Sequence, residues 1–343
     1  MIKISDIARM AGVSPSTVAR VIHNNGYVSL SNRKIIEEVI EKYHYVPNRA
    51  AQGLKNKNTK IIGHVVPDDQ TNHVFSLITG AIKKAAEESG YHIITVSNVK
   101  SKEHEEHMVE ELLSRMVDGL IFTSSCSPEL VREVVKREIP VVMIERPHDI
   151  ENIEKVLIDN HRGSYLAVKH LIDHNHRNIG YIGKDIGSRV EEERLDGFVT
   201  ACKESGIITD QSDICLVEDY TSEDGYAAAL KLMKNETDLT ALFISSDILA
   251  AGVMQYLYEQ GIKVPDDISI VGYDDTLSRF MAPGLTTVAL PFEEIGKTAM
   301  KALMDVIENK ESGHEFRLTP YMVERDSVRK IQIFGGQNEN TGI

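Results

Sequence analysis

Histidines and carboxylates at helical spacing are the first places where this sequence could do chemistry. His104 and His107 flank Glu105 and Glu106, but a metalloprotease pair stands four apart with a glutamate between, and these stand three apart. His170 and His174 do have i, i+4 spacing, with His176 beyond. No thiolate is near them, and histidines at a helix end ordinarily cap or solvate, so no metal is expected. Cys126, Cys202 and Cys215 are widely spaced and form neither a zinc pattern nor an even-numbered disulfide set. No G-x-S-x-G elbow occurs, and Gly183-Lys184-Asp185-Ile186-Gly187 is neither a dinucleotide fingerprint nor a P-loop. A glycosidase pair could be made from Glu145 and Asp274 if they faced each other, yet both have binding roles available. The sequence points to binding: no catalytic residues and no cofactor are expected.

The local chemistry is sharpest in the first sixty residues. Ser5 can cap a helix running through Ala11, and Gly12 follows as a residue able to take positive φ. Ser14 then caps a second helix, with Pro15 at the first helical position, where a missing N–H costs nothing. Two short helices joined by a glycine-containing turn make a helix-turn-helix, whose second helix enters a major groove N-terminus first. A third helix, capped by Ser31, carries Ile35, Ile36, Val39, Ile40 and Tyr43 and completes a small core.

Charge divides the same way. Residues 1–60 hold ten Lys and Arg against four acids, whereas the rest holds 28 against 48. A basic head on an acidic body suits a chain whose head alone touches a polyanion. A merely solvated basic face fits the charge equally well, so the motif must decide.

The string IKISDIARMAGVSPSTVARVIHNNGYVS, followed by YHYVPNRAAQGL, resembles the DNA-binding head and hinge of the lactose/galactose/purine repressor family. The resemblance implies base reading by Pro15, Ser16 and Arg20, and backbone contacts from Ser5, Thr17, Asn24 and Asn48. Arg20 has the clearest physics, because a guanidinium can bond guanine O6 and N7 bidentately. Ala19 stands where relatives usually carry Ser, so one phosphate-facing hydroxyl of the family pattern is missing here. Plain capping is the competing role for Ser16 and Thr17. Residues 47–60 form a linker in which Asn48 can cap about two helical turns, too few for an isolated helix. In the family that helix orders on DNA and wedges a leucine into the minor groove. Leu54 holds that place here, beside Ala51.

From residue 61 onward, β-rich runs alternate with amphipathic stretches. Strands are expected at 61–66, 91–96, 119–123, 140–144, 155–158, 178–182, 241–244 and 268–271, with a closing strand near 316–324. Helices are expected at 74–89, 103–116, 162–174, 191–205, 225–234, 249–260 and 292–309. Such alternation specifies parallel sheets covered by helices, with crevices at the strand C-terminal ends. The fold class is therefore α/β, a helix-turn-helix head plus a parallel-sheet body.

Strings such as HLIDHNHRNIGYIG, ERLDGFVTA, SSDILAAGV and PDDISIVGYDDT extend the resemblance along the body. It implies a two-lobed, periplasmic-binding-protein-like body at 61–333, for effector binding and dimerisation, after a head at 1–46. The N-lobe takes about 61–158 plus 291–320, and the C-lobe about 159–290 plus 321–333. It also implies an interlobe effector site in which Arg194 and Asp274 face each other, with Arg189, Ser246 and Glu145 as further polar contacts. Phe75, Tyr220 and Phe292 supply flat faces. Ser246 stands where sugar-responsive relatives often carry Asn, and Glu145 where Asp is seen. Asp274-Asp275 capping the next loop, or Arg194 pairing with Glu191 on its own helix, are the competing roles.

The expected protein is a cytoplasmic homodimeric regulator, a repressor, that binds palindromic double-stranded operator DNA under control of a small molecule, a sugar or sugar derivative. A sugar-binding protein or a glycosidase-like enzyme using the same cleft is the alternative. The N-terminus has no secretory h-region, and no apolar run is long enough to span a bilayer. Residues 334–343 are a polar tail without heptads, so no coiled-coil tetramer is expected.

Overall fold

A computed structural model of the 343-residue chain describes residues 2–45, 59–67, 73–98, 101–123, 127–145, 150–185, 187, 189–234, 238–309 and 312–332. The chain divides into two compact units, Met1–Thr59 and Lys60–Ile343.

In the first unit, α1 (Ile4–Ala11), α2 (Pro15–Ile22) and α3 (Leu30–Lys42) pack around Ile7, Ala8, Val18, Val21 and Ile36. Gly12 ends α1 at φ 66°, the left-handed geometry that glycine adopts without Cβ cost. Ser14 caps α2, its Oγ accepting the Thr17 N–H at 3.2 Å, with Pro15 inside the first turn. Two of the expected caps shift. Ser5 lies inside α1, whose cap is Lys3, two residues earlier, because Asp6 accepts the Lys3 N–H at 3.0 Å and closes the turn from there. α3 is capped by Ser29, not Ser31, since Ser29 is the extended residue whose Oγ reaches the Asn32 N–H. Ile35 and Tyr43 remain largely exposed, so the core uses a narrower stripe of α3 than expected.

The second unit holds two six-stranded sheets. The first is ordered β11-β5-β4-β3-β1-β2 and is wholly parallel. Its strands are β1 (Ile61–Pro67), β2 (His92–Asn98), β3 (Gly119–Phe122), β4 (Val141–Ile144), β5 (Glu154–Ile158) and β11 (Glu315–Leu318). The second is ordered β12-β10-β9-β8-β6-β7, parallel except where β12 meets β10. It comprises β6 (Ile179–Lys184), β7 (Ile214–Val217), β8 (Ala241–Ile244), β9 (Ser269–Asp274), β10 (Thr286–Ala289) and β12 (Tyr321–Val323). Both orders reverse once, between β1 and β3 and between β6 and β8, and a crevice opens at such switch points.

The helices are α4 (His73–Glu88), α5 (Lys102–Ser114), α6 (Pro128–Lys136), α7 (Asn160–Asp173), α8 (Arg189–Glu204), α9 (Ser222–Met233), α10 (Asp247–Glu259) and α11 (Phe292–Asn309). Lobe 1 is the first sheet with α4, α5, α6 and α11; lobe 2 is the second with α7 to α10. The chain crosses between them after β5, after β10 and between β11 and β12. The single closing strand expected near 316–324 is thus two short strands in different sheets, split at Thr319 and Pro320. No helix among the described residues is long and apolar enough to cross a membrane.

Candidate functional site

On the head, Pro15, Ser16 and Arg20 all lie on the exposed side of α2. Ser14, the cap, also engages the next two hydroxyls, 2.7 Å to Ser16 Oγ and 2.8 Å to Thr17 Oγ1. The capping role weighed for these residues is therefore in use, and each hydroxyl keeps spare capacity. Asn24 sits at φ 46°, its side-chain oxygen accepting from Arg33 at 3.1 Å. Arg9 pairs with Asp6 at 2.9 Å and Arg33 with Glu37 at 3.7 Å. Arg20 has no ion pair among the described residues; its aliphatic stem lies over Gly26. Of these arginines it is the one whose fork is uncommitted. Asn48, Ala51 and Leu54 lie outside the described residues.

In the body, residues at the strand C-terminal ends of both lobes line a cleft between them, the place where sheets of this topology bind ligands. Lobe 1 contributes Val74, Phe75 and Ile78 from α4, and Thr123, Glu145 and Ile158 from the ends of β3, β4 and β5. Lobe 2 contributes Val190, Glu191 and Arg194 from α8, Tyr220 after β7, Ser246 after β8 and Asp274 at the end of β9. Leu290 lies on the second crossing.

Arg194 and Asp274 meet at 3.4 Å and are both buried. The guanidinium also donates from Nη1 to the Ser245 carbonyl at 2.7 Å and from Nε to Asn160 Oδ1 at 2.9 Å, and it stacks on Tyr273 at 4.0 Å. Arg194 thus pairs across the sheet edge rather than with Glu191 on its own helix. Ser246 occupies the N-cap position of α10 without capping it; its hydroxyl donates to Asp274 Oδ2 at 3.0 Å instead. The loop work weighed for the Asp274-Asp275 pair falls to Asp275, which accepts from Arg325 at 2.7 Å and from the Ser278 hydroxyl. Glu145 accepts the Ile158 N–H and an Asn160 amide hydrogen, the latter at 3.1 Å. Of the cleft carboxylates, Asp274 and Glu145 have positive φ, 103° and 68°. Non-glycine residues in that region cluster where function over-determines the backbone.

Two expected cleft residues stand elsewhere. Arg189 is half exposed and paired with Glu193 at 2.7 Å, one helical turn along α8. Phe292 packs at the start of α11 against the main core cluster and does not line the cleft. Glu191, Thr123 and the aliphatic lining of α4 and β5 are cleft residues that sequence reasoning misses. The only signal for them is position beside a strand end or a named site residue.

Burial pushes the Asp274 carboxyl up to about 7, the Arg194 guanidinium pulling against it. Burial also raises Glu145, against hydrogen bonds from Asn160 and Ile158. A carboxyl whose folded pKa lies above its unfolded value of about 3.9 binds more protons when folded, so stability falls as pH rises between the two. Asp274→Asn should therefore gain melting temperature relative to the native chain by several degrees as pH goes from about 5 to about 7.5, levelling above about 8. A difference that is flat across that range, in parallel thermal melts, would contradict the assigned burial.

Comparison with known proteins follows the same division. Residues 3–48 match the family described as bacterial regulatory proteins, lacI family, and residues 168–328 match a periplasmic binding protein-like domain. The chain is 33% identical over 327 residues to catabolite control protein A of Priestia megaterium, covering 94% of this chain and 98% of that one. The lac repressor dimer bound to operator and the anti-inducer ONPF superposes with a TM-score of 0.85 at 26% identity, covering 96% of this chain and 99% of that one. A complex of the transcriptional regulator CelR with cellobiose gives 0.72 at 27% identity, covering 95% and 100%.

Proposed function

The chain belongs to the lacI family of bacterial regulatory proteins, and from that premise we propose that its interlobe cleft binds a sugar or sugar derivative that sets the affinity of paired heads for a palindromic operator. That the chain is a DNA-binding transcriptional regulator of repressor type, responsive to a small molecule, follows from family membership; its relatives are regulators and not enzymes.

The observation that carries the cleft assignment is the buried Arg194–Asp274 pair on the lobe 2 side of the cleft, at the C-terminal end of the second sheet. A carboxylate and a guanidinium side by side offer an acceptor and a donor fork to vicinal hydroxyls. Phe75 and Tyr220 supply flat apolar faces for a ring. Glu145 is held in place by one hydrogen bond to each oxygen, from Ile158 and Asn160, and keeps acceptor capacity toward the cleft. The glycosidase alternative is set aside on family grounds, since the relatives are transcriptional regulators.

On the head, Arg20 reads a base edge in the major groove, with Pro15 and Ser16 beside it. Ser5, Thr17 and Asn24 hold phosphates and set register. Dimerisation supplies the second head, because one short module buries too little duplex to select a site in a genome. Asn48, Ala51 and Leu54 complete the proposal as the hinge contacts.

Each phosphate neutralised by a head releases a condensed counterion. Operator affinity of the full chain should accordingly drop by about a thousandfold or more between about 50 and 200 mM salt, whereas the fragment from residue 60 onward should show no measurable duplex binding. Fluorescence anisotropy with an operator selected from random inverted repeats measures both. A salt-independent affinity would reject the head assignment. For the cleft, a sugar bound at about a hundred times its Kd should stabilise the fold by about 2.7 kcal/mol. If no sugar or sugar derivative in a thermal-shift screen produces such a rise, the ligand class is wrong.

A further inference from the structure

Asn160 joins the two halves of the cleft through a single amide. It is the first residue of α7, directly after the first crossing, and 1% exposed. Its Nδ2 donates into lobe 1, to Glu145 Oε2 at 3.1 Å and to the Ile158 carbonyl at 3.3 Å. Its Oδ1 accepts from lobe 2, from Arg194 Nε at 2.9 Å and Tyr273 Oη at 3.2 Å. Only one orientation of the amide satisfies all four partners, since a flip would set NH₂ against the Arg194 Nε–H and oxygen against the Glu145 carboxylate and the Ile158 carbonyl. Gly163, one turn along α7, makes room for this: a Cβ there would stand 2.4 Å from Tyr273 Oη.

We propose that Asn160 is a positioning residue through which lobe 1 registers the state of Arg194, so that a ligand drawing on Arg194 is felt at Glu145 and the β5 end. The proposal rests on the reading of the cleft as the effector site, but its mechanics are present without ligand. Arg194 gives Asn160 its Nε hydrogen bond, and Glu145 is anchored by the opposite end of the same amide. A shift of the guanidinium toward a ligand removes one donor from Asn160 Oδ1, reorients the amide and loosens the Glu145 carboxylate that holds the Ile158 N–H. The coupling uses no charge transfer and no bond making. It needs only that one rigid planar group serve both lobes.

The test uses the full chain without ligand, reading hydrogen exchange at the Ile158 amide in one lobe while substituting the other. Arg194→Lys removes the Nε donor; it should speed Ile158 exchange about tenfold in the native background and less than about twofold in an Asn160→Leu background. Equal acceleration in both backgrounds, or none in the native one, overturns the proposal. Because Asn160→Leu could fail to fold, a swapped pair provides an independent decision. Asn160→Asp keeps the acceptor facing Arg194 but sets carboxylate against Glu145, and Glu145→Gln sets amide against amide. Each single variant should speed Ile158 exchange about tenfold. The double variant E145Q/N160D, in which the introduced amide donates to the introduced carboxylate, should return it to within about threefold of native. A double variant as fast as the faster single one reduces Asn160 to a space-filling role and refutes the proposal. Failure of the sugar screen alone would leave these exchange rates unaffected, so the two readings fail separately.

Discussion

Replacing Arg20 with alanine should reduce the preference for operator over random duplex by about thirtyfold or more, while nonspecific affinity changes far less. A bidentate guanidinium–guanine contact contributes about 1–3 kcal/mol of discrimination, and a dimer carries two. Nonspecific binding depends on the count of neutralised phosphates, and one lost charge per head changes the salt slope by about one each. The structure supports the choice of residue: Arg9 and Arg33 are engaged within the head, and Arg20 is exposed with no ion pair among the described residues. No large folding cost accompanies the change, since Arg20 is outside the Ile7–Val18–Ile36 core. Competition titrations with the selected operator and a shuffled duplex read the ratio directly. An unchanged ratio removes Arg20 from base reading; equal loss on both duplexes makes it a phosphate contact.

The second large effect lies in the body. Asp274→Ala should abolish the response of operator binding to any sugar that stabilises the native chain, and leave operator affinity without sugar within about threefold. Three things fail together in this variant. Arg194 loses its carboxylate, Ser246 loses the acceptor its hydroxyl now serves, and the ligand loses the acceptor that orients its hydroxyls. Removing one partner of a buried pair costs about 3–5 kcal/mol of stability when a charge is stranded. Arg194 keeps its bonds to the Ser245 carbonyl and Asn160, which limits that loss. Asp274→Asn preserves the shape and separates the two effects: it should fold at least as well as the native chain above about pH 7 and still respond weakly. Operator titrations with and without sugar, run on both variants, decide the matter. A full response in Asp274→Ala would take Asp274 out of the site.

The head is legible because its signals are local. Gly12, Ser14 and Pro15 each act within one turn of themselves, so composition and spacing place the turn and α2. Ser29 and Ser31 are equally good caps by type; only the backbone decides between them, and it selects Ser29. In the body, short β-rich runs such as β1 and β8 are readable, whereas α6, β7 and β10 are not. α6 is only nine residues with four charges, and β10 is Thr-Thr-Val-Ala, whose hydroxyls are satisfied by partners distant in sequence: Thr287 donates to Asp247 at 2.7 Å and Thr286 accepts from the Arg325 N–H at 2.9 Å. The arginines of α8 show the same limit. Arg189 and Arg194 share a helix and a residue type, but five positions at about 100° each set them on different faces. One meets Glu193 and solvent, the other the cleft. Asn160 gives no signal at all, because Asp159-Asn160 reads as an ordinary helix start and three of its four partners are supplied by distant strands and helices.

The way the chain threads its sheets constrains how such a protein can be re-engineered or diverge. Between the units Met1–Thr59 and Lys60–Ile343 there is one covalent connection, but between the two lobes there are three, the last passing through only Thr319 and Pro320. A new head can thus be grafted at a single junction, giving chimeras that answer an old signal at a new promoter. A lobe cannot be exchanged that way without cutting and rejoining the polypeptide at three places in register. One recombination at the head junction therefore pairs any head with any whole body, whereas a ligand preference changed inside a single lobe has to arise by substitution in place.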